Sequence, residues 1–365
     1  MPNAAMRLLP PLFIAALIGA SAPAAATVQR AFVASYGVTA NTAFNCSIAK
    51  PCRAFSEAVS VTNPGGEVIV LDSAGYGVVV IGKSVSIIAP PGIYAGVSVF
   101  TTDGIVVNAG ATDIVILRGL SINGQGGSRG IFFQAAARLR IENCVVSGLG
   151  NEGISHAATG GEMIVLDTIV RDNLGTGIFV NGDNAATVLD HVRSEHNQGD
   201  GFHLAPPAGS SGTTATVANS VFTHNTGKGI WADTVAGATT TIVVERSVMA
   251  SNGQDGFAAT GVAGGSADGT LMRNAIDHNG GNGIWILGSA EVVASENAVH
   301  RNGGTGILAD GTARGYVSAN SGVKNQSGIG MTCNSATGLM FSIRNNLMVD
   351  GVSGTGSCYV AGTGN

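Results

Sequence analysis

The stretch that decides the fold runs from residue 173 to residue 307, where one phrase occurs six times with small variations. The copies are Asn173-Leu-Gly-Thr-Gly177-Ile178, Asn197-Gln-Gly-Asp-Gly201-Phe202, Asn225-Thr-Gly-Lys-Gly229-Ile230, Asn252-Gly-Gln-Asp-Gly256-Phe257, Asn279-Gly-Gly-Asn-Gly283-Ile284 and Asn302-Gly-Gly-Thr-Gly306-Ile307. Successive asparagines are 24, 28, 27, 27 and 23 residues apart, and a shortened copy, Asn325-Gln-Ser-Gly328-Ile329, follows 23 residues later. A repeat of this period predicts a solenoid, in which each unit packs on its neighbours.

The rest of the chain indicates that the repeating unit is made of short strands. Runs of β-branched residues at 68–71, 85–88 and 114–117 are separated by turn residues, and 55 of the 365 residues are Gly. Helix-length periodicity does not recur after these runs begin, and the nine-residue repeat of calcium-dependent β-rolls is missing. The sequence therefore predicts an all-β, single-stranded parallel β-helix over residues 65–350, with coils of 22–28 residues and an end segment at 351–365.

The N-terminus has the pattern of a secretory signal peptide over residues 1–26. Arg7 precedes an apolar stretch at 8–20, and Ala24-Ala25-Ala26 offers a cleavage site. The stretch is short and interrupted by Pro10 and Pro11, so we expect no membrane span. The predicted protein is exported, to the periplasm or beyond. Its mature chain has 17 basic residues against 23 acids, which disfavours nucleic acid as a partner.

Residues 27–64 are predicted to form a cap. Apolar positions between Arg53 and Val61 have helical spacing, and Asn63-Pro64 ends the pattern. Such a cap would cover the apolar interior and the unpaired backbone of the first coil.

Five cysteines are present, and export permits disulfides. Cys46 and Cys52 flank a short loop and are expected to pair. Cys333 and Cys358 are about one coil apart, which would bring them within the distance that a disulfide spans. Cys144 is left over and is expected to be a buried small apolar residue. The Cys and His spacings match no zinc site.

From the Cys52–Tyr76 region to about residue 350, this organisation resembles the right-handed parallel β-helices of the pectin-lyase-like superfamily. The resemblance implies a polysaccharide lyase or glycoside hydrolase. The segment Val188-Leu-Asp190-His191 is similar to the Asp-His strand end of pectate lyases, which implies a Ca²⁺-holding role for Asp190. However, the hydrophobic-Trp start of that motif and an Arg-x-Pro-x-x-Arg segment are missing from the sequence. The polygalacturonase signatures and the Asp-Pro-His-Asp of alginate epimerases are missing too.

Two asparagine columns have a structural interpretation. The repeated Asn can pass amide hydrogen bonds from coil to coil, and it tolerates the left-handed backbone of a sharp turn. A second column is predicted at Asn219, Asn274, Asn297 and Asn320. The apolar residue after the last Gly of each phrase is expected to point into the core.

Strand alternation then places the following residue outside. These outward residues are Phe179, His203, Trp231, Ala258, Trp285 and Leu308, and Asp233 and Asp310 would flank them. The column therefore predicts an exposed aromatic face, with Phe179, His203, Trp231, Asp233 and Trp285 as ligand-binding residues. Two alternatives stay open: the 205–215 segment covers the face, or the face is a protein or oligomer contact.

Further candidates lie beside this face. Asp200 and Asp255 are two coils apart, at a separation known from inverting glycosidases, but Lys228 between them suggests an exposed ion-pair series. Asp190, His191, Asp200 and Asp255 are thus weak catalytic candidates. His196, His224 and His278 each precede a ladder Asn; solvated turn histidines explain them more simply than a metal site, for which no protein ligand set is predicted.

The function predicted from sequence is binding of an extended polymer, with polysaccharide as the expected ligand, along the aromatic face. One alternative is a lyase or hydrolase, which needs a complete set of acids, bases or calcium ligands in one groove. The other is a structural or adhesive surface protein without catalysis.

Overall fold

A computed structural model describes residues 27–210, 212–326, 330–334, 339–342, 345–354 and 359–361. The predicted signal peptide and Cys358 lie outside these residues, so the signal peptide and the Cys333–Cys358 pair stay predictions. Among the helices described, none is long and apolar enough to cross a bilayer.

The described chain winds through three parallel sheets, each built from one strand per coil. Sheet 1 consists of Val28–Val33, Thr62–Val70, Val85–Ile88, Ile114–Arg118, Arg138–Glu142, Glu162–Leu166, Ala186–Asp190, Thr213–Ala218, Thr239–Glu245, Ser266–Met272, Glu291–Ser295, Arg314–Ser318, Leu339–Ser342 and Tyr359–Ala361. Because each strand pairs with the strand one coil away, the predicted parallel β-helix is confirmed.

Sheets 2 and 3 complete each coil. Sheet 2 consists of Ala74–Gly75, Ala95–Val99, Leu120–Gly124, Val145–Ser147, Ile169–Arg171, Arg193–Glu195, Val221–Thr223, Val248–Ala250, Ala275–Asp277, Ala298–His300, Ser321–Val323 and Leu347–Met348. Sheet 3 consists of Val79–Ile81, Ile105–Asn108, Ile131–Ala135, Ile154–His156, Ile178–Val180, Phe202–Leu204, Ile230–Asp233, Phe257–Gly261, Ile284–Gly288, Ile307–Asp310, Met331–Cys333 and Val352–Gly354.

The cap contains a short 3₁₀ helix, Thr39–Phe44, and an α-helix, Phe55–Val61. The Cys46–Cys52 disulfide is present, and its loop bonds the edge of the first strand: Phe32 N–H donates to Cys46 O at 2.8 Å, and Cys52 N–H donates to Phe32 O at 2.9 Å. The loop therefore covers a strand edge that would otherwise be free to pair with another chain. The same first strand also pairs with Thr62–Val70, so the cap and the coils share sheet 1.

The strand after the helix differs from the prediction at residues 63–66. These residues were predicted to stop the helix; they do follow its end, but they lie within Thr62–Val70. Val28 pairs with Thr62 and Arg30 pairs with Glu67, so the second strand carries extra residues at this point. Asn63-Pro64-Gly65-Gly66 therefore forms a bulge rather than a turn between elements.

The repeated phrase places its apolar residue inside, as predicted. Six core residues, Ile178, Phe202, Ile230, Phe257, Ile284 and Ile307, have no solvent exposure, and they lie in register along sheet 3. The third residue of each strand is buried as well. The core is therefore a set of apolar columns along the coil axis.

The main asparagine ladder is confirmed. Each side-chain amide from Asn173 to Asn302 donates to the Oδ1 of the ladder Asn one coil further on, at 2.8–3.1 Å, and that Oδ1 also accepts a backbone N–H. Asn325 ends the ladder on Asp350. Because every buried amide is paired, the polar column costs the core little stability.

The second ladder differs from the prediction at one position. Asn274, Asn297 and Asn320 do bond in sequence, but Asn219 is outside this column. Asn219 lies in the left-handed turn between sheets 1 and 2 and bonds Asp190. The ladder position is taken by Ser220, whose backbone N–H donates to Ser247 Oγ. Ser220, Asn274, Asn297 and Asn320 each lie five residues before a main-ladder Asn, whereas Asn219 lies six residues before Asn225.

Candidate functional site

The outward face of sheet 3 brings the predicted aromatic column together. Strand register aligns Phe179, His203, Trp231, Ala258, Trp285 and Leu308 on six successive coils. Their inward neighbours are fully buried, so the predicted alternation is correct.

The aromatic column is half-buried, and in this respect the predicted exposed face is wrong. None of Phe179, Trp231 and Trp285 is strongly exposed, and the His203 side chain is 14% exposed. Burial follows from ring packing: Phe179 and His203 have centroids 5.3 Å apart, and His203 stacks on Trp231 at 4.1 Å with planes 9° apart. The rings therefore shield one another.

Ala258 divides the column. It occupies an outward position between Trp231 and Trp285, yet it is completely buried. Since its register neighbours are the two tryptophans, we infer that their side chains shield it. The two tryptophans thus lie on the same face but two coils apart.

Trp231 is held by polar contacts around its ring. Its Nε1–H donates to Thr260 Oγ1 at 2.8 Å, and the Thr260 hydroxyl donates to Asp233 Oδ1 at 2.6 Å. Lys228 Nζ lies 4.2 Å from the ring centroid, at cation–π distance. Asp233 therefore orients Trp231 through Thr260, a residue that sequence reasoning missed because it lies 29 positions away.

Asp200, Lys228 and Asp255 are buried, so the prediction of an exposed ion-pair series is wrong. Lys228 is 8% exposed, and its Nζ donates to Gln254 Oε1 at 3.0 Å. Asp200 Oδ1 accepts the Lys228 backbone N–H at 2.7 Å, and Asp255 Oδ1 accepts the Asn282 backbone N–H at 2.7 Å. The two carboxylates thus join successive coils, as ladder asparagines do.

Burial changes two acid–base equilibria here. Desolvation raises the pKa of Asp200 above its usual value, although the Lys228 N–H and charge oppose the shift. Desolvation, with a smaller effect of the Lys228 charge, lowers the pKa of His203 to about 4. His203 is therefore neutral at physiological pH, which suits a ring stacked beside a buried ammonium group.

Two ring nitrogens in the column are buried and lack a hydrogen-bond partner among the described residues: His203 Nε2 and Trp285 Nε1. A buried polar atom of this kind costs about 1–3 kcal/mol when it is unpaired.

The other predicted candidates lie away from this face. Asp190 and His191 are at the turn between sheets 1 and 2, where Asp190 Oδ1 accepts from Asn219 Nδ2 at 2.8 Å and His191 Nδ1 lies 3.0 Å from it. Within the described residues, no three His, Cys, Asp or Glu side chains converge as a metal ion would require.

The three turn histidines, His196, His224 and His278, each lie directly before an asparagine of the main ladder. His196 and His224 stack with centroids 5.0 Å apart, and His278 Nδ1 lies 2.8 Å from Asp277 Oδ2. All three are exposed and have left-handed backbone. They were predicted to be solvated turn residues, and their positions agree with that prediction.

Residues of the 205–215 segment contact the neighbouring turns. The Asn184 backbone N–H donates to Ser210 Oγ at 3.2 Å, and the Thr239 N–H donates to Ser210 O at 2.8 Å. Ser210 therefore belongs to the stack of turns between sheets 3 and 1.

The fold and this face define a parallel β-helix that carries a packed aromatic column on one sheet. The chain matches the family described as the right-handed beta helix region over residues 57–205 and 207–365, and it belongs to that family. No curated protein sequence matches it.

Solved structures share the fold at low sequence identity. The A-module of a mannuronan C-5 epimerase from Azotobacter vinelandii is 16% identical, with a TM-score of 0.65 over 82% of this chain and 91% of that one. A pectate lyase is 15% identical, with a TM-score of 0.55 over 93% of this chain and 80% of that one. A periplasmic alginate epimerase variant is 11% identical, with a TM-score of 0.50 over 80% of this chain and 79% of that one.

Proposed function

We propose that this protein is exported and binds an extended polysaccharide along the outward face of sheet 3. The observation that carries the proposal is the packed aromatic column Phe179–His203–Trp231 on the outward face of sheet 3. The partly exposed rings offer apolar surface to the C–H groups of a sugar. Asp233 contributes by orienting Trp231.

Two further facts support a polysaccharide as the ligand. The sheet is long and regular, so a linear polymer can contact coil after coil. The structural neighbours are named for mannuronan, pectate and alginate, all of which are polysaccharides. The N-terminal signal pattern and the Cys46–Cys52 disulfide support export.

We propose binding rather than catalysis, because the candidate acids already have structural partners. Asp200 and Asp255 accept backbone N–H groups of the following coils, and Asp190 bonds a turn asparagine. A general acid or base must instead reach a proton on the substrate.

The test is a glycan array probed with the wild-type protein and with a variant that carries both Trp231→Ala and Trp285→Ala. We expect wild-type binding to a polysaccharide and at least a tenfold loss in the variant. The matched control is Tyr316→Ala, which breaks the Tyr316–Phe341 stack (centroids 5.0 Å apart) on the outward face of sheet 1. Unchanged binding by the double variant, with its circular dichroism spectrum intact, would show that the aromatic column is not the binding face.

A further inference from the structure

We infer that the bound polysaccharide contacts two equivalent stations on sheet 3, four coils apart. The Trp231 station consists of Asp200, Lys228 and Trp231; the Phe132 station consists of Asp103, Arg129 and Phe132. The inference rests on the proposed function, and it adds a second contact site and a minimum ligand length.

The two stations have the same sequence pattern. Lys228-Gly229-Ile230-Trp231 and Arg129-Gly130-Ile131-Phe132 both consist of a cation, Gly, Ile and an aromatic residue. In each case an aspartate, Asp200 or Asp103, stands directly before the corresponding Gly of the preceding coil. The Phe132 copy lies before the first asparagine phrase, so the repeat alone does not reveal it.

Backbone contacts place the two stations in equivalent positions. Asp200 Oδ1 accepts the Lys228 N–H at 2.7 Å, and Asp103 Oδ1 accepts the Arg129 N–H at 3.2 Å. Because the same hydrogen bond forms at the same turn, Lys228 and Arg129 occupy equivalent backbone positions in their two coils.

Side-chain contacts repeat as well. Lys228 Nζ lies 4.2 Å from the Trp231 centroid, and Arg129 Cζ lies 3.5 Å from the Phe132 centroid. Both rings are half-buried on the outward face. Each cation is already neutralised or bonded, since Arg129 pairs with Asp103 through two bonds at 2.9 and 3.0 Å and Lys228 bonds Gln254. The stations therefore offer fixed rings rather than free charges.

The stations belong to one continuous face. Register runs from Phe132 through Ser155, Phe179 and His203 to Trp231, a distance of about 19 Å for four steps of roughly 4.8 Å. Phe179 and His203 supply ring surface between the ends, and Ser155 is buried beneath it. A pyranose unit advances a chain by roughly 5 Å, close to one coil, so about five units span both stations.

The face continues past the Phe132 station into a cavity of about 430 Å³. Val78, Val80, Val106 and Asp103 help to line it, and Val80 is 67% exposed. Val106 is the register partner of Phe132 on the preceding coil. The apolar surface therefore extends beyond the second ring, which gives a longer polymer further contact area.

The experiment measures affinity against ligand length. The probes are graded oligosaccharides of 1,4-linked glucan, mannan and uronan, from disaccharide to polymer, titrated against wild type, Phe132→Ala, Phe132→Leu and Trp231→Ala. For wild type we expect a steep rise in affinity at about five units, because the second contact is then intramolecular.

Both Phe132 variants should remove that rise. We expect long ligands to lose roughly 10- to 100-fold in affinity and disaccharides to bind as before. Phe132→Leu keeps apolar packing, so the same loss in this variant excludes misfolding as the cause. Trp231→Ala should weaken disaccharides and should also remove the rise in affinity with length, and Tyr316→Ala should change neither.

Two results would overturn the inference: Phe132 variants that bind long ligands like wild type, or variants that lose the same factor for short and long ligands. Wild-type binding that is independent of Trp231, or that is undetectable for every probe, would instead overturn the proposed function.

Discussion

Acidification from about pH 7.5 to about pH 5 should destabilise the fold through its buried histidines, and His156, whose side chain is completely buried in the core, gives the most direct test. This residue is fully buried inside sheet 3, stacked on Phe133 with centroids 4.7 Å apart, and its Nδ1 lies 3.1 Å from Thr187 Oγ1. Desolvation lowers the pKa of His156 from 6.5 to about 4. The interior thus holds a neutral imidazole that the unfolded chain would protonate.

The magnitude follows from proton linkage. Because the folded pKa lies below the unfolded pKa, the stabilisation is complete above about pH 6.5 and is lost as pH falls toward 4. At about pH 5, which is roughly 1.5 pH units below the unfolded pKa, His156 lowers the free energy of unfolding by about 1.4 kcal/mol per pH unit. The total loss is about 2 kcal/mol. An unfolding entropy of about 2.1 cal/mol/K per residue over the 365 residues converts this to about 3 °C in Tm.

The assay compares thermal unfolding of wild type and His156→Leu at the two pH values. Each protein is compared with itself, so the packing change at pH 7.5 cancels. We expect the acid-induced fall in Tm to be about 3 °C smaller in His156→Leu. His191→Asn, which removes an exposed turn histidine and retains a residue that tolerates left-handed backbone, is the control. Equal acid sensitivity in wild type and His156→Leu, or equal relief by His191→Asn, would refute the reasoning.

Three further predictions concern the site and the ladders. Since the pKa of His203 is about 4, glycan affinity should stay constant from about pH 7.5 to about pH 5 and fall near pH 4, where an imidazolium would face Lys228. Titration calorimetry across this pH range measures the affinity, and a midpoint of the fall near pH 6.5 would contradict the prediction. Asn252→Ala should destabilise the protein by about 3 kcal/mol or more in urea unfolding, because it leaves ladder neighbours unpaired, whereas exposed Asn181→Ala should cost under about 0.5 kcal/mol. Ca²⁺ should change the Tm of wild type and Asp190→Ala equally, because Asp190 is engaged in its turn; a Ca²⁺ effect lost only in the variant would restore the calcium hypothesis.

Sequence reasoning worked well wherever the determinant was local and repeated. The phrase from Asn to the final apolar residue sets both a left-handed turn and the phase of the following strand, and strand alternation then fixes which side chains face inward. The buried columns through Ile178 and Val180 and the asparagine ladder were predictable for that reason. The Cys46–Cys52 pair was predictable from a short loop.

Errors arose where the answer depended on alignment between coils. Asn219 was assigned to a buried ladder that contains Ser220, because the prediction followed residue type and overlooked that a Ser hydroxyl can fill the ladder position five residues before Asn225. Asp200 and Lys228 were expected to form an exposed ion pair, but the carboxylate accepts the lysine's backbone N–H while the ammonium reaches Gln254. Bonds between residues 26 to 29 positions apart follow from the stacked register, which no single coil contains.

By itself, the sequence determined a solenoid of parallel strands, its inward columns and the one sheet face that carries both tryptophans. Only the tertiary structure decided how those outward side chains pack: His203 covers Trp231, Thr260 and Asp233 fix the indole edge, and Phe132 joins the same face. The physical reason is that inward direction is set by the local twofold alternation of a strand. Ring stacking, burial and pKa depend on neighbours one coil away, whose identity the local pattern leaves free.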